Sequence, residues 1–167
     1  LDLWFERVYK RKAKGYVELI RYCDDFVVCC ESEQDAEDFL YLLKQRLGRF
    51  NLEVSKEKTK ILRFGRKAWQ QSKASKKKVP SFDFLGFTHY CAPSRRGKFI
   101  MGHKTSKVNL RRKLGEMKDW LKRVRSYLRL KDWWQMLKAK LTGHYNYFGI
   151  SGNYRCINQF YRRVISV

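Results

Sequence analysis

Residues 21 to 31 read Arg-Tyr-Cys-Asp-Asp-Phe-Val-Val-Cys-Cys-Glu, and this stretch decides the fold of the first part of the chain. Two adjacent carboxylates, Asp24 and Asp25, stand between the apolar residues of 19–22 and those of 26–28. β-Branched and aromatic residues on both sides of a polar pair are typical of two strands joined by a tight turn. The stretch therefore predicts a β-hairpin with acidic residues at its tip.

The paired carboxylates at this tip suggest a metal-binding function. Like charges repel each other, so an apolar hairpin gains no stability from having Asp25 beside Asp24. Mg²⁺ would remove this repulsion, because it prefers oxygen ligands and is usually held by one or two carboxylates together with substrate phosphates. The alternative is an Asp-Asp turn, in which one side chain accepts a hydrogen bond from the backbone two residues further on.

Several segments resemble the reverse transcriptases encoded by group II introns. Residues 22–25, Tyr-Cys-Asp-Asp, resemble the family's Tyr-x-Asp-Asp box, with Cys23 where Ala is common. Residues 1–7 resemble the helix that leads to this box, and residues 51–65 resemble the next palm motif. Residues 82–87 resemble the passage from palm to thumb, and residues 143–164 resemble the maturase thumb, or domain X. The matches come in the family's order over nearly the whole chain.

The resemblance implies an RNA-directed DNA polymerase that transfers nucleotides with two Mg²⁺ ions, or with Mn²⁺ as an alternative. Asp24 is then the main metal ligand and Asp25 a supporting carboxylate. Lys58 would place a positive charge near the triphosphate, or would simply be a surface lysine at a strand edge. The implied partners are an RNA template, the primer-template duplex, group II intron RNA and dNTPs.

The resemblance also implies residues that position the primer. Tyr22 is expected to pack beneath the primer end. Phe84, Leu85 and Gly86 resemble the region that holds the primer strand, where a glycine permits close approach of the backbone. These residues are expected to support the palm and the primer.

One expected part of the metal site has no counterpart in the chain. In this family another metal ligand is an aspartate from an earlier palm strand. The other acids before Asp24 are Asp2, Glu6 and Glu18, which lie on the leading helix and the approach strand, in the wrong motif. We therefore expect the chain to be the C-terminal part of a polymerase that begins in mid-palm. The missing N-terminal half, or a second copy in a homodimer, would cover the open palm edge.

The charge distribution points to a polyanionic partner. Lys and Arg total 38 against 16 acids, which gives a formal net charge of +22. Residues 1–57 contain 10 basic and 12 acidic residues, whereas residues 58–167 contain 28 basic and 4 acidic residues. The basic remainder is expected to bind phosphate, with an affinity that falls steeply as the salt concentration rises.

The cysteines and the hydropathy indicate an intracellular, soluble protein. The five cysteines include the adjacent pair Cys29 and Cys30 and form no Cys-x-x-Cys motif, so neither a disulfide framework nor a zinc ribbon is indicated. No apolar stretch approaches the roughly 20 residues of a membrane span, and no signal peptide is visible. We expect a location in the bacterial cytoplasm, with association with the nucleoid as an option.

The spacing of apolar residues predicts an α+β fold in two domains. The first, residues 1–105, would be a partial polymerase palm, an antiparallel sheet with a covering helix over 32–50. Within it we expect a strand at 61–64, a basic loop at 66–80, and a second hairpin formed by 82–90 and 98–101. The second domain, residues 106–167, would be a truncated three-helix thumb bundle.

The basic residues of this helical part and of the basic loop are the candidates for contact with nucleic acid. On the first thumb helix they lie off the apolar stripe formed by 110, 114, 117, 121, 124 and 128. Trp133 is expected to point away from a buried Trp134, and so to be free for a nucleic-acid or partner contact. The full set is Lys76, Lys77, Lys78, Arg111, Arg112, Lys118, Lys122, Arg125, Arg129 and Trp133.

Two other functions remain open at this stage. The chain could act only as an RNA-binding or splicing module, a maturase without polymerase activity, because part of its metal site is missing. Alternatively, it could come from a retron, a diversity-generating or a CRISPR-associated reverse transcriptase. The Gly-His-Tyr-Asn-Tyr-Phe-Gly segment at 143–149 favours the intron group over these other lineages.

Overall fold

The computed structural model describes residues 1–75 and 77–166, which fold into two compact units, Leu1–Pro80 and Ser81–Val167. Both units combine helices with an antiparallel sheet, so the predicted α+β class is confirmed. The boundary between palm and thumb predicted at residues 105 and 106 stays a prediction.

The first unit begins with a short helix, α1 (Asp2–Trp4), which continues as a π-helical segment, Phe5–Tyr9. Strands β1 (Val17–Tyr22) and β2 (Asp25–Cys30) form the predicted hairpin, and helix α2 (Glu33–Gly48) follows. Ser32 caps α2, because its hydroxyl accepts a hydrogen bond from the Asp35 backbone N–H at 3.0 Å.

The core of this unit lies where the leading helical segment meets α2. Phe5 and Tyr9 are one helical turn apart and are both buried, as is Phe39 of α2. The Tyr9 and Phe39 rings meet edge to face at 4.9 Å between centroids, a favoured aromatic arrangement. Leu43 and Val17 complete the cluster, so α2 covers the hairpin as predicted.

Two predicted elements of the first unit are wrong. Residues 61–64 do not form a strand: in the described part of this unit, β1 and β2 make a two-stranded sheet that this segment does not join. The basic loop predicted at 66–80 is helical over most of its length, as α3 (Arg66–Ser75). Its Lys, Ala and Gln residues favour helix, and the Lys73 ammonium lies 3.9 Å from the centroid of the Trp69 ring one turn earlier.

The second unit begins with a three-stranded antiparallel sheet of order β3, β4, β5: β3 (Phe82–Phe84), β4 (Phe87–Pro93) and β5 (Phe99–Thr105). The predicted second hairpin is thus present and gains a third strand. A two-residue turn, Leu85 and Gly86, joins β3 to β4, with positive φ at both residues (48° and 81°). Positive φ at both central positions is the pattern of a type I′ turn.

Three helices follow the sheet: α4 (Lys107–Val124), α5 (Leu130–Phe148) and α6 (Tyr154–Ile165). The predicted apolar stripe of α4 is confirmed, because Met117 and Leu121 are buried against Leu137 of α5 and Phe160 and Val164 of α6. The three helices therefore share one hydrophobic core.

The two tryptophans of α5 are reversed relative to the prediction. Trp133 packs against the hydrophobic core, whereas Trp134 is 47% exposed. The buried face of α5 follows steps of four residues from Trp133 through Leu137 to Leu141, and Trp134 falls at its margin. Among the residues described, no helix is long and apolar enough to cross a membrane.

Candidate active site at the acidic hairpin tip

The hairpin places the two carboxylates at and beside its turn. Tyr22 pairs with Asp25 at the end of the ladder, so the connecting loop consists of Cys23 and Asp24 alone. Cys23 has a φ of 55°, and Asp24 does not share this positive value. Positive φ at only the first loop residue is the pattern of a type II′ turn, which suits the twist of two short antiparallel strands.

The side chains of Asp24 and Asp25 are both exposed. Within the described residues, neither carboxylate takes part in an ion pair or a side-chain hydrogen bond. Their oxygens are therefore accessible to a cation from solution.

A basic residue fixes the turn without neutralising its acids. The Arg21 Nε donates to Asp2 Oδ1 at 2.7 Å, and the Arg21 Nη2 pairs with Asp2 Oδ2. The third guanidinium nitrogen donates to the Cys23 carbonyl at 2.6 Å. The hydrogen bonds from Arg21 lower the pKa of Asp2. Arg21 thus joins the leading helix to the turn residue between Tyr22 and Asp24, a link between distant positions that no local sequence pattern predicts.

The other acids considered from sequence each have a basic partner. Asp2 binds Arg21, while Glu6 accepts from the Lys10 ammonium at 3.1 Å. Glu18 accepts from Lys10 at 3.4 Å and from the Tyr16 hydroxyl at 3.0 Å, and the Tyr16 hydrogen bond is the main cause of its lowered pKa. Each of these three carboxylates is therefore already paired, and whether any of them binds a metal stays a prediction.

Asp35, in the first turn of α2, has a structural role that the sequence analysis did not identify. Its side chain is buried and accepts hydrogen bonds from the backbone N–H of Lys14 and of Gly15, both at 3.0 Å. The Ser32 hydroxyl also donates to Asp35, at 2.7 Å. These bonds lower the Asp35 pKa, the one from Ser32 most strongly. Asp35 therefore fixes the segment that enters β1, and the Ser-x-x-Asp spacing was its only sequence signal.

The turn predicted to hold the primer strand is built inside the second unit. The Tyr147 hydroxyl donates to the Leu85 carbonyl at 2.9 Å, and the Ser106 N–H donates to the Gly86 carbonyl at 2.9 Å. A side chain at Gly86 would bring its Cβ to 3.1 Å from the Asn109 amide nitrogen. The glycine is thus required by close packing within the unit itself, and a role with a primer stays a prediction.

The predicted nucleic-acid contacts on α4 are exposed. Arg112 is tied to its own helix, because it donates to Glu116 Oε1 at 2.8 Å and to Asn109 Oδ1 at 3.0 Å. Arg129, just before α5, donates to Asp132 at 3.1 Å. The residues predicted from sequence in this region are all exposed: Arg111, Arg112, Lys118, Lys122, Arg125 and Arg129.

The remaining predicted site residues are dispersed along the first unit. Tyr22 is 64% exposed beside the turn, and Lys58 is exposed in the irregular stretch between α2 and α3. Lys77 and Lys78 are exposed after α3, whereas Lys76 lies outside the described residues. In the described ranges 1–75 and 77–166, no cluster of three or more His, Cys, Asp or Glu side chains could hold a metal ion. Asp24 and Asp25 therefore lie together as two exposed carboxylates, without a third His, Cys, Asp or Glu side chain beside them in the described part of the chain.

Residues 3–89 match the family model for reverse transcriptase (RNA-dependent DNA polymerase). The matched segment includes the acidic hairpin and covers more than half of the 167-residue chain. The chain therefore belongs to the reverse transcriptase family, and RNA-directed DNA polymerase activity is the activity of that family. No curated protein and no solved structure matches the chain.

Proposed function

We propose that this chain carries the catalytic hairpin and an RNA-binding helical part of a reverse transcriptase of the group II intron type. The observation that carries this proposal is the position of Asp24 and Asp25, exposed and without a cationic partner among the described residues, at a two-residue hairpin turn. The family match over residues 3–89 supports the same reaction. The partners proposed are an RNA template, its primer duplex, intron RNA and dNTPs.

The residues present fit part of a Mg²⁺ site. Asp24 would be the main ligand and Asp25 a supporting one, since both offer the carboxylate oxygens that this ion prefers. When bound, Mg²⁺ or Mn²⁺ would neutralise negative charge on the attacking oxygen and the triphosphate. Arg21 would support metal binding indirectly. It donates a hydrogen bond to the Cys23 carbonyl, and it forms its ion pair with Asp2 and not with Asp24 or Asp25. The carboxylates next to it thus remain available.

The basic helices would bind the primer-template duplex and the intron RNA. We assign the sheet and α2 of the first unit to the palm and the bundle of α4, α5 and α6 to the thumb. The exposed basic side chains at 111, 118 and 122 on α4 and at 125, its C-cap, recur at helical spacing, a pattern suited to the phosphates of a duplex. Binding of this kind releases counterions, and its affinity decreases with salt.

Positioning roles are proposed for residues near these two regions. Tyr22, exposed beside the turn, would pack beneath the primer end. Lys58 would contribute positive charge near the triphosphate, and the turn at Phe84, Leu85 and Gly86 would face the primer strand. The intron lineage is proposed from the segment at 143–149, whose glycines and aromatics end α5.

Primer extension on an RNA template tests this function. The 167-residue chain and a form extended at its N-terminus within its own reading frame are assayed with dNTPs and Mg²⁺. Asp24→Asn is compared with Asp119→Asn, a matched change of an exposed acid on α4. We expect extension by the longer form, a loss of about 100-fold or more in Asp24→Asn, and unchanged activity in Asp119→Asn. The magnitude follows because even outer-shell partners of a metal are worth about 10- to 100-fold.

Salt titration of RNA binding separates the proposal from its alternative. If neither form extends a primer but both bind RNA with strong salt dependence, the polymerase assignment fails and the chain is an RNA-binding or splicing module. If extension occurs and Asp24→Asn leaves it intact, the assignment of the metal ligand is wrong.

A further inference from the structure

A cleft in the second unit lies outside the acidic hairpin, and two of the predicted site residues, Gly86 and Arg112, line it. It has a volume of about 500 Å³ and lies mainly between α4 and α5. We name it the α4–α5 cleft and define it by the lining residues that matter to its chemistry: Arg112, Lys113, Glu116, Trp120, Lys140 and Tyr147. Its size is that of a small-molecule site, since such pockets measure roughly 300 to 1,000 Å³.

The charges of the cleft favour an anion. The two carboxylate oxygens of Glu116 are occupied by Arg112 at 2.8 Å and by Lys113 at 3.1 Å. These bonds, chiefly that from Lys113, lower the pKa of Glu116, so the acid stays ionised at neutral pH. The cations still exceed the acid by two, and an anionic ligand would reduce this excess.

Lys140 is the cation that the cleft leaves without a carboxylate partner among the described residues. Its ammonium lies 5.0 Å from the centroid of the Trp120 ring, and this cation–π contact is the interaction that positions it. A lysine held over a ring at the edge of a cleft retains its capacity to donate to a phosphate.

The walls of the cleft are aromatic as well as basic. Tyr147 is held in place by its hydrogen bond to the Leu85 carbonyl and by stacking on Phe87 at 5.9 Å. Deeper in the cleft, His144 stacks on Phe160 at 3.7 Å between centroids. Simple binding of a phosphate needs no such rings, whereas a nucleobase gains stacking energy on them.

From this combination we infer that the α4–α5 cleft binds one unpaired nucleotide of an RNA strand. Its phosphate is held by Lys140, which lies over the Trp120 ring, with Lys113 and Arg112 nearby, and its base stacks on the exposed ring of Tyr147. A volume of about 500 Å³ admits a nucleotide but excludes a duplex. The inference rests on RNA binding by the proposed function and adds a site that selects unpaired nucleotides within the bound RNA.

Two lysines of α5 provide a matched pair of variants. Lys140 lies over Trp120 inside the cleft, and Lys138 lies 5.9 Å from the Trp134 ring and does not line it. Both side chains are exposed, so neither substitution by Gln should unfold the unit. Lys140→Gln and Lys138→Gln thus remove the same charge from the same helix, but only one of them alters the cleft.

The test measures the affinity of the full chain for two labelled RNA hairpins by fluorescence anisotropy. One hairpin is fully paired and the other carries a single unpaired adenosine. We expect the wild type to bind the second hairpin about 5-fold or more tightly, the lower limit for stacking of one base. Lys140→Gln should lose this preference, and Lys138→Gln should keep it. Adenosine monophosphate should compete for the preference, whereas inorganic phosphate at the same concentration should not.

The outcomes separate this inference from the proposed function. Equal affinity for the two hairpins in the wild type, or a preference that survives in Lys140→Gln, overturns the cleft assignment while leaving general RNA binding intact. Competition by inorganic phosphate as effective as that by the nucleotide shows a plain anion site and also overturns it. Failure to bind either hairpin at low salt overturns both the cleft assignment and the RNA-binding function.

Discussion

Arg21 and Asp2, 19 residues apart in sequence, form a bidentate ion pair, and the same guanidinium donates to the Cys23 carbonyl at 2.6 Å. One side chain therefore connects the start of the leading helix to the loop that presents Asp24. The pair is exposed, and exposed pairs add little to the free energy of unfolding. Its effect is local: it restricts the conformation of a two-residue turn.

Substitution of Arg21 by Gln should loosen the turn without unfolding the unit. We expect faster amide hydrogen exchange at Cys23 and Asp24 and an almost unchanged melting temperature, because the lost bonds are local and exposed. Arg63→Gln is the matched control, since Arg63 forms a similar bidentate ion pair with Glu33 but does not contact the turn. If the amide hydrogen exchange at Cys23 and Asp24 is unchanged in Arg21→Gln, the backbone hydrogen bonds between β1 and β2 alone fix the conformation of the turn.

Asp35→Asn should lower the melting temperature at neutral pH by several degrees. In the wild type, the Lys14 and Gly15 backbone N–H groups and the Ser32 hydroxyl all donate to the carboxylate oxygens of Asp35. Asparagine replaces one of these oxygens by an NH₂ group, which cannot accept a hydrogen bond, so at least one donor loses its partner. Because the folded-state pKa of Asp35 is lowered, its stabilisation is present above the ordinary value of 3.8 and is lost as pH falls through the folded value. The variant should therefore lose less stability than the wild type on acidification below about 4.

Thermal unfolding over this pH range provides the measurement. Asp38→Asn, an exposed acid on the same helix, serves as the control and should change neither the melting temperature nor its pH dependence appreciably. Equal behaviour of the two variants would contradict the role assigned to Asp35.

Local sequence patterns were sufficient for most of the fold. The hairpin around Asp24 follows from short-range alternation and a two-residue loop, and the stripe from Leu110 to Val124 follows from helical periodicity. Such patterns depend on neighbours within a few residues, so they can be interpreted without knowledge of the tertiary structure. The α+β class and the acidic tip were therefore predictable.

The failures concern features decided by distant contacts. The alternation at 61–64 resembles a strand, but a strand requires a partner, and no described strand lies beside it. Trp133 and Trp134 both lie within one helical turn of Leu137, so the choice of the buried ring depends on how α4 and α6 pack. The links of Arg21 to Asp2 and of Asp35 to the segment before β1 likewise span about 20 positions and left almost no sequence signal.

Asn153→Ala should destabilise the second unit more than any exposed substitution there. Asn153 is 1% exposed, accepts from the Thr105 N–H at 2.8 Å, and donates to the Thr105 hydroxyl and to the Phe148 carbonyl. Alanine leaves these buried groups unsatisfied, which costs about 2 kcal/mol or more. Urea unfolding of this unit measures the loss.

Asn146→Ala is the matched control for that change, since Asn146 is exposed on α5. It should be neutral or slightly stabilising, because alanine is the better helix former. Similar losses in the two alanine variants would show that the bonds between Asn153 and the end of β5 are not what stabilises this junction.

His144 should make the second unit sensitive to mild acid. Burial, with a contribution from Lys113, lowers its pKa from 6.5 to about 4, so the folded state holds a neutral ring against Phe160. As pH falls from about 6.5 towards about 4, the unfolded chain gains a proton that the folded chain does not, and stability decreases. His144→Phe keeps the stacked ring but cannot titrate, so its melting temperature should fall less than that of the wild type over this range. Glu116, which lines the same cleft as His144, titrates in both proteins, so its effect cancels in the difference. Parallel curves would mean that His144 is protonated in the folded state.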